Sequence, residues 1–536
     1  MINKITQKEL SLCFDRLFID AEDDFFPDPI KYKDLKLVKA EIITQIRSCL
    51  NQSFHNKVSD YPNYECQHWD VPKKNYVIRH AVCIHPIDRI IYNCLLHGIG
   101  PLVNPQLSKL KYSYPIKDFN KKKLFGENPT ENWKKFKYDI KELFIQKRNY
   151  NYLLSTDIAG FFEYIHLNDF RSQIYDLSHL RPSASIVELL HIFLRRFSPA
   201  DHSGIAQNYD PSSFFASAFL DFLDKDMEAR QAKYYRYVDD IKVACKTKTE
   251  TKRMIIEITH SLRKYNLNLA THKTEIWHRN DRKFKEFMQE FPVILKEADD
   301  AVKNKDKQKI NKVLPALIKD VKRLLKSNDF NERLFRAYIW RILKCHWFKD
   351  IEDVSGSLCG ICNRAMKLIE ELPNETDSFV RFLLLHKDRK YVQKELKSIL
   401  KESIYSWQEM HIWSLLIQSN KIKDKSLFII ARKRLSNVSY SPAARNYIIL
   451  FLGKHGNYQD RNRIRELLNQ PCSYFTKRCI YIALQEHQSR NSIYNYAIGR
   501  ESDITLKSLA IYLKQSKVPE YIFEDKRVGS DKTFIS

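Results

Sequence analysis

The segment Lys233–Cys245 constrains the chain most, because it places two adjacent carboxylates, Asp239 and Asp240, between two apolar stretches. The β-prone residues on both sides predict a strand, a tight turn and a second strand. Such turns usually carry Asn-Gly or Asp-Gly, and this segment has no glycine. Adjacent carboxylates repel each other unless a cation relieves them, and a divalent metal with oxygen ligands is the usual one. Taken alone, the pair is more simply explained by a solvated turn.

A second segment, Asn151–Phe162, changes that interpretation. It is an apolar run that ends in Asp157 and continues with a small residue and two aromatic residues. This pattern predicts a core strand that delivers Asp157 at its end, followed by a turn into a helix. Three carboxylates from two neighbouring strands can hold two Mg²⁺ ions, as in in-line phosphoryl or nucleotidyl transfer. Together, the two segments predict metal-dependent chemistry on phosphates.

The charge of the chain favours a polyanionic partner. Lysine and arginine number 90 against 65 acidic residues, a formal net charge of +25. Nucleic acid is favoured over a membrane, because there is no basic amphipathic anchor and no apolar run of the roughly 18 residues that span a bilayer. The first residues lack the apolar core of a signal peptide, and the 11 cysteines show no framework spacing. We therefore expect a cytoplasmic protein that does not bind membranes.

The secondary-structure signals divide the chain into three regions. Residues 1–60 contain two helices, are too short for a core of their own, and are expected to pack on the second region. Residues 61–280 alternate strands and helices in a split β-α-β plan, which predicts a mixed sheet backed by helices. In residues 281–536 strand signals thin out and apolar residues recur at helical spacing. The predicted fold class is α+β, followed by an all-α domain.

The last region contains segments of similar sequence. Three of them begin at Arg445, Arg478 and Lys507, at intervals of 33 and 29 residues, and Ile412–Ile417 extends the series upstream. These intervals are the length of a helix–turn–helix repeat and predict an irregular α-solenoid of HEAT type. The alternative is ordinary helical packing without true repetition. Because helical repeats often assemble, we also expect a homo-oligomer.

The order of the motifs in residues 70–280 resembles that of reverse transcriptases. The resemblance implies the fingers and palm of a right-hand polymerase. Its motifs are Arg79 followed by Pro86–Arg89 in the fingers, and in the palm Asp157–Phe162, Gly204–Gln207 with Ser212, Tyr237–Asp240 with its signature Tyr237 and Val238, and Lys273–Glu275.

The resemblance also implies a role for each motif residue. Asp157, Asp239 and Asp240 would be the catalytic metal ligands, with Mg²⁺ as the expected ion and Mn²⁺ as the alternative. Phe162 would be the steric gate that selects dNTPs; the alternative is a core phenylalanine. Gln207 and Ser212 would contact the incoming dNTP or the template. Lys74 and Arg79 would grip the triphosphate, and Lys273 would support the leaving group.

Other features resemble the bacterial defence-associated reverse transcriptases, including abortive-infection enzymes. These are Tyr112–Tyr114, Leu124 with Phe125, Trp133, and a helical domain in place of a conventional thumb. The resemblance implies DNA synthesis in antiphage defence in the bacterial cytoplasm, with an RNA template or noncoding RNA as partner. Synthesis without a template, or primed by a protein tyrosine, is also implied.

Two other functions stay open, and only the first of them depends on a departure from the family pattern. Asn208 stands where the second palm motif usually has glycine, which affects how closely the backbone can approach a template or nucleotide. One alternative is therefore a polymerase-like scaffold that binds nucleic acid and has lost catalysis. The other is a retron-type templated enzyme with a dedicated noncoding RNA.

A zinc site is a further hypothesis for the helical region. Cys345, His346, Cys359 and Cys362 include a CxxC pair with suitable local spacing. Simultaneous ligation by the adjacent Cys345 and His346 is awkward. Ordinary buried thiols are the alternative.

Overall fold

The computed structural model describes residues 5–21, 24–55, 64–109, 112–113, 116–125, 129–179, 185–198, 200, 202–289, 292–327, 330–348, 354–437 and 439–521. The chain begins with helix α1 (Gln7–Asp20), a 3₁₀ turn (Lys33–Val38) and helix α2 (Lys39–His55). A capping box starts α1, since the Thr6 side chain accepts from the Glu9 amide and the Glu9 side chain accepts from the Thr6 amide.

A two-stranded hairpin comes next. Strands β1 (Cys66–Pro72) and β2 (Ile78–Ile84) pair antiparallel and are joined by a turn over residues 73–77. The chain then enters α3 (Pro86–Val103), a helix that is buried along most of its length and packs on α1. The tip of the hairpin packs against the 3₁₀ turn Pro373–Glu375 of the C-terminal region.

The second sheet has four strands: β3 (Tyr152–Asp157), β4 (Lys233–Tyr237), β5 (Asp240–Cys245) and β6 (Glu275–His278). Their order is β4-β5-β3-β6, and every hydrogen-bonded pair is antiparallel. The expected split β-α-β arrangement is present, since β3 and β4 run in the same direction with β5 between them. The expected mixed pairing is wrong, because the Asp-Asp hairpin places β5, rather than β4, beside β3.

Helices cover this sheet and fill the connection between β3 and β4. They are α4 (Pro129–Gln146), α5 (Phe161–Tyr164), α6 (Leu167–Ser178), α7 (Ser185–Arg195), α8 (Asp210–Phe219), α9 (Asp221–Ala229), α10 (Lys248–Arg263) and α11 (Arg282–Met288). One hydrophobic core joins α1, α3 and α6–α10 to the sheet. A smaller cluster lies between α4, the sheet and α11.

The rest of the described chain is helical. Its α-helices are α12 (Val293–Lys303), α13 (Lys307–Lys326), α14 (Glu332–Phe348), α15 (Val354–Glu371), α16 (Thr376–Leu383), α17 (Lys390–Glu402), α18 (Ser406–Gln418), α19 (Ser426–Leu435), α20 (Pro442–His455), α21 (Tyr458–Glu466), α22 (Tyr474–Ala483), α23 (Arg490–Arg500) and α24 (Ile504–Gln515). Among the described residues, none of the helices is both long and apolar enough to cross a membrane.

Alternate helices of this region form a row. Helices α14, α16, α18, α20, α22 and α24 each pack against the next. The four segments of similar sequence lie on α18, α20, α22 and α24. The sequence similarity therefore coincides with equivalent positions in successive helices of the row.

Residues 24–38, which we call the strap, connect the two halves of the molecule. Phe26 and Ile30 belong to the same hydrophobic core as the C-terminal helices. The Trp407 indole N–H donates to the Phe25 carbonyl at 3.0 Å, and the Tyr447 hydroxyl donates to the Pro27 carbonyl at 2.8 Å. The N-terminal region thus packs both on α3 and on the helical row.

A buried ion cluster fixes the strap to α22. The Arg478 guanidinium, which is 2% exposed, forms ion pairs with Asp28 and Asp34. Its Nη1 donates to Asp34 Oδ2 at 3.0 Å, and its Nη2 donates to Asp28 Oδ1 at 3.2 Å. Each charge in the cluster depends on the others, because all three side chains are almost fully buried.

Candidate active site

The structure brings the three predicted carboxylates together at one edge of the four-stranded sheet. Asp157, the last residue of β3, lies directly opposite Asp240, the first residue of β5. Asp239 lies in the two-residue turn between β4 and β5. The arrangement follows from local sequence, since each acid occupies the point where an apolar strand ends or begins.

The turn that carries Asp239 is held in a strained conformation. Val238 has a φ of 58°, a value that costs a β-branched residue on the order of 1–3 kcal/mol. Its amide donates to the Ser113 hydroxyl at 3.0 Å, and its carbonyl accepts from Arg236 Nη1 at 2.9 Å. Arg236 is itself fully buried and forms an ion pair with Asp224. These contacts fix the backbone on which the predicted catalytic pair depends.

The same carboxylates interact unfavourably with one another. Burial, together with the nearby Asp157, raises the pKa of Asp239 to about 7. Burial also raises the pKa of Asp157, although the contact with the Lys273 ammonium opposes this shift. On the neighbouring strand Lys242, 4% exposed, forms an ion pair with Asp240. The two lysines therefore supply the cationic charge that this edge of the sheet requires.

The raised pKa of Asp239 predicts a pH effect on the metal-free protein. Its folded-state pKa of about 7 exceeds the ordinary aspartate value of 3.8, so between these values the folded state binds more protons than the unfolded state. Stability should therefore fall as the pH rises through this window, and Asp239→Asn should flatten that part of the profile. Melting temperatures measured in chelator across the pH range test this. The matched control is Glu402→Gln, at an exposed acid, and its stability profile should follow that of the wild type. A profile unchanged by Asp239→Asn would contradict the prediction.

The donor chemistry of the three acids fits hard divalent cations, which prefer carboxylate oxygen. Within the described part of the chain, however, no three His, Cys, Asp or Glu side chains already surround one point as ligands. The reason is visible in the contacts, since Asp157 and Asp240 are each turned to a lysine. Metal binding at this edge would require both carboxylates to exchange a lysine ammonium for the metal.

A cavity of about 1220 Å³ opens beside the carboxylates. It is bounded by the hairpin tip, the end of the four-stranded sheet, the strap and the C-terminal helices. Most of the residues predicted to bind substrate line it, namely Lys74, Arg79, Phe162, Gln207 and Lys273, together with Asp157 and Asp239. The structure thus gathers motifs from five separate parts of the sequence around one space.

The cations of the hairpin that line this cavity already have protein partners. Lys74 Nζ lies 3.3 Å from Glu332 Oε1, and its side chain is 68% exposed. The Arg79 guanidinium lies 5.6 Å from the centre of the Phe25 ring. Lys73, which lies in the same turn, contacts Glu163 at 3.1 Å. A polyanion entering the cavity would meet three cations whose present partners are partly buried acids or an aromatic ring.

Phe162 and Asn208 both lie in the wall of the cavity. Phe162 is 8% exposed and lies in the cavity wall, so it is both packed and accessible to a ligand. Asn208 has a φ of 74°, in the left-handed region that favours glycine and that asparagine tolerates better than most residues. The backbone conformation associated with glycine is therefore kept in spite of the substitution.

The structure corrects the prediction for Ser212. Its side chain is fully buried, and its hydroxyl lies 2.9 Å from the Tyr92 hydroxyl. It is the third residue of α8 and packs towards α3, away from the cavity. In this structure it contacts neither a nucleotide nor a template, because a motif gives the position of a residue but not the direction of its side chain.

Several cavity residues were missed by sequence reasoning. They come from the C-terminal helices and include Arg336, Asn374, Glu375, Arg381, Trp407 and His411. No local pattern marks them, because they reach the cavity only through the packing of the helical row on the hairpin. Lys242 was also missed, although its position two residues after Asp240 places it on the same face of β5.

The zinc hypothesis receives no support from the described cysteines. Cys345 and Cys362 are buried, and burial raises the pKa of the Cys345 thiol to about 12. The side chains of His346 and Cys359 lie outside the described residues.

Comparison with known proteins identifies one domain. Residues 71–336 match the family model described as "Reverse transcriptase (RNA-dependent DNA polymerase)". The match shows a reverse transcriptase domain and indicates the nucleotidyltransferase activity of an RNA-directed DNA polymerase. No match is found among curated proteins.

Two solved structures are similar over much of the chain. Apo telomerase from Candida tropicalis matches at 11% identity with a TM-score of 0.32, over 70% of this chain and 74% of that chain. Telomerase from Candida albicans, in complex with a fragment of telomeric RNA, matches at 11% identity with a TM-score of 0.32, over 75% of this chain and 70% of that chain.

Proposed function

We propose that the reverse transcriptase domain makes DNA from dNTPs by two-metal nucleotidyl transfer, with Asp157, Asp239 and Asp240 as the metal ligands. The observation that carries the proposal is the register of β3 and β5, which sets Asp157 against Asp240 beside the cavity. Bound there, Mg²⁺, or Mn²⁺ in its place, supplies hydroxyl activation and neutralisation of phosphate charge.

The surrounding residues bind and orient the substrate. Arg79 and Lys74 face the cavity from the hairpin and hold the triphosphate, while Lys273 supports the leaving group. The Phe162 ring excludes a 2′-hydroxyl and so selects dNTPs. Gln207 contacts the incoming nucleotide or the template. The Tyr237 ring packs against the Trp133 ring, with 5.0 Å between the ring centres, and anchors the catalytic hairpin to α4.

We assign the domains accordingly. Residues 1–60 form a helical extension, residues 61–280 form the fingers and palm, and residues 281–536 form a HEAT-like helical repeat domain in place of a conventional thumb. The packing of α18, α20, α22 and α24 in sequence supports the repeats. Because such arrays assemble readily, the protein is proposed to be a homo-oligomer.

The biological role proposed is antiphage defence in the bacterial cytoplasm. It is supported by the resemblance of Tyr112–Tyr114, Trp133 and the helical C-terminal region to defence-associated enzymes. The nucleic-acid partner is an RNA template or a noncoding RNA, and the product is DNA. The proposal includes two variants of this activity, namely DNA synthesis without a template and DNA synthesis primed by a tyrosine of the protein.

An assay of DNA synthesis tests the function. Purified protein is incubated with Mg²⁺ and labelled dNTPs, with and without template, and the product is then treated with proteinase. The control is the double variant Asp239→Ala, Asp240→Ala. Acid-dependent synthesis that requires template indicates a conventional or retron-type enzyme, whereas template-free product that shifts in size after proteinase indicates protein priming. Incorporation unaffected by the double substitution would refute the catalytic assignment, and nucleic-acid binding without synthesis would favour a scaffold.

A further inference from the structure

The two lysines beside the carboxylates differ in how easily each can leave its acid. The Lys273 side chain is 56% exposed, so its ammonium can turn away from Asp157 and be hydrated by solvent. The Lys242 side chain is only 5% exposed, and its ammonium forms an ion pair with Asp240. A cation that binds both acids therefore meets one lysine that is easily displaced and one that is not.

The burial of Lys242 follows from its place in the sheet. It lies two residues after Asp240 in β5 and therefore on the same face. Two residues further on, Ala244 belongs to the hydrophobic cluster that α4 and α11 form with this face. The Lys242 ammonium lies 5.9 Å from the centre of the Trp277 ring and 5.7 Å from the centre of the Phe287 ring. Lys242 is thus a buried cation between aromatic rings.

A cation in such surroundings depends on its carboxylate. Aromatic rings attract an ammonium, but they do not replace the hydration that it has lost, so a hydrogen-bonded anion is required. Among the described residues, Asp240 is the one acid that forms an ion pair with Lys242. Glu275 lies in the same cross-strand row as Lys242, but its oxygens accept from the Trp277 indole and from Lys283. The Asp240 carboxylate therefore has no ready substitute.

We propose that Lys242 competes with the divalent cation for Asp240 and thereby sets the metal concentration that the active site requires. When Asp240 turns to the metal, Lys242 loses its anion and stays buried, and this cost lowers the affinity for the metal. Lys273 imposes a smaller cost, because its exposed ammonium regains water. The inference rests on the proposed function, because it takes Asp240 as a metal ligand.

Magnesium affinity of the full-length protein, measured without dNTPs, tests the competition. The rise in melting temperature with Mg²⁺ concentration, at constant ionic strength, gives the dissociation constant. Lys242→Met keeps an apolar side chain of similar length and removes the charge. It should bind Mg²⁺ at least about 10-fold more tightly, the effect of one hydrogen bond to a charged group. Folding should be kept, because the Asp240 side chain that loses its partner is 29% exposed and can be hydrated.

Three further variants separate this competition from a general effect of charge. Lys242→Gln, which is neutral and can still donate to Asp240, should shift the dissociation constant in the same direction as Lys242→Met. Lys273→Met removes the exposed cation beside Asp157 and should tighten Mg²⁺ binding less than Lys242→Met does. Lys264→Met, at an exposed position that ends α10, should bind Mg²⁺ like the wild type.

The outcomes distinguish this inference from the proposed function. Equal dissociation constants for the wild type and both Lys242 variants would overturn the competition and leave the metal site in place. An effect of Lys273→Met as large as that of Lys242→Met would also overturn it, because burial would then make no difference. A lack of Mg²⁺ stabilisation in every protein would refute the metal ligands and the competition together. Tighter binding by the Lys242 variants of a protein that makes no DNA would support the competition and refute only the synthesis.

Discussion

Asp157→Asn is expected to lower dNTP incorporation by about 10³-fold or more, because it removes one of the three carboxylates proposed to hold the metal ions. The carboxylate is 14% exposed and lies opposite Asp240 in the sheet. Asparagine has nearly the same shape, so the strand and its register should be kept. In the metal-free protein the substitution should leave the melting temperature unchanged or raise it, since one of two mutually repelling buried carboxylates is removed.

The measurement combines single-nucleotide incorporation with thermal denaturation in increasing Mg²⁺. Wild-type protein should be stabilised by Mg²⁺, and the variant should lose most of this shift along with its activity. Asp176→Asn, at an exposed acid of α6, should behave as wild type in both assays. If the variant kept more than about a tenth of the wild-type rate, Asp157 would be excluded as a metal ligand.

Arg478→Ala is expected to lower the free energy of unfolding by about 3–5 kcal/mol, the cost of leaving buried carboxylates without their cation. Asp28 and Asp34 are almost fully buried and share this guanidinium. Because the cluster ties the strap to the helical row, the loss should affect the wall of the active-site cavity as well as global stability.

Chemical denaturation measures this effect, with Arg463→Ala at an exposed position of α21 as the matched control. A triple variant that combines Arg478→Met with Asp28→Asn and Asp34→Asn should recover most of the loss, since no charge is then left unpaired. A change below about 1 kcal/mol for Arg478→Ala would show that water or another group compensates the acids.

Much of the site follows from local sequence. The ends of the strands at Asp157 and Asp240 could be located because apolar runs stop there, and short-range pairing then sets the two acids together. Ser212 was misplaced because the direction of a side chain depends on the packing of its helix. The pairing of β3 with β5 rather than β4 depends on the whole sheet, which a strand-by-strand interpretation does not determine.

The cavity residues of the C-terminal helices and the strap contacts could not be predicted in the same way. Trp407 and Phe25 are 382 residues apart in the chain, and no periodicity connects them. Their contact is a result of tertiary packing, in which the helical row closes over the hairpin. Functional residues supplied by such packing carry no motif, so a family resemblance restricted to one domain does not include them.

The ion cluster of the strap also sets an order of events during protein synthesis. Asp28 leaves the ribosome 450 residues before Arg478, the residue that neutralises it. At ordinary rates of translation this interval is roughly 20 to 90 seconds. Throughout that time the nascent strap stays hydrated, and one wall of the cavity is missing. Nascent chains that already contain Asp157, Asp239 and Asp240 therefore lack a complete cleft until α22 has been made.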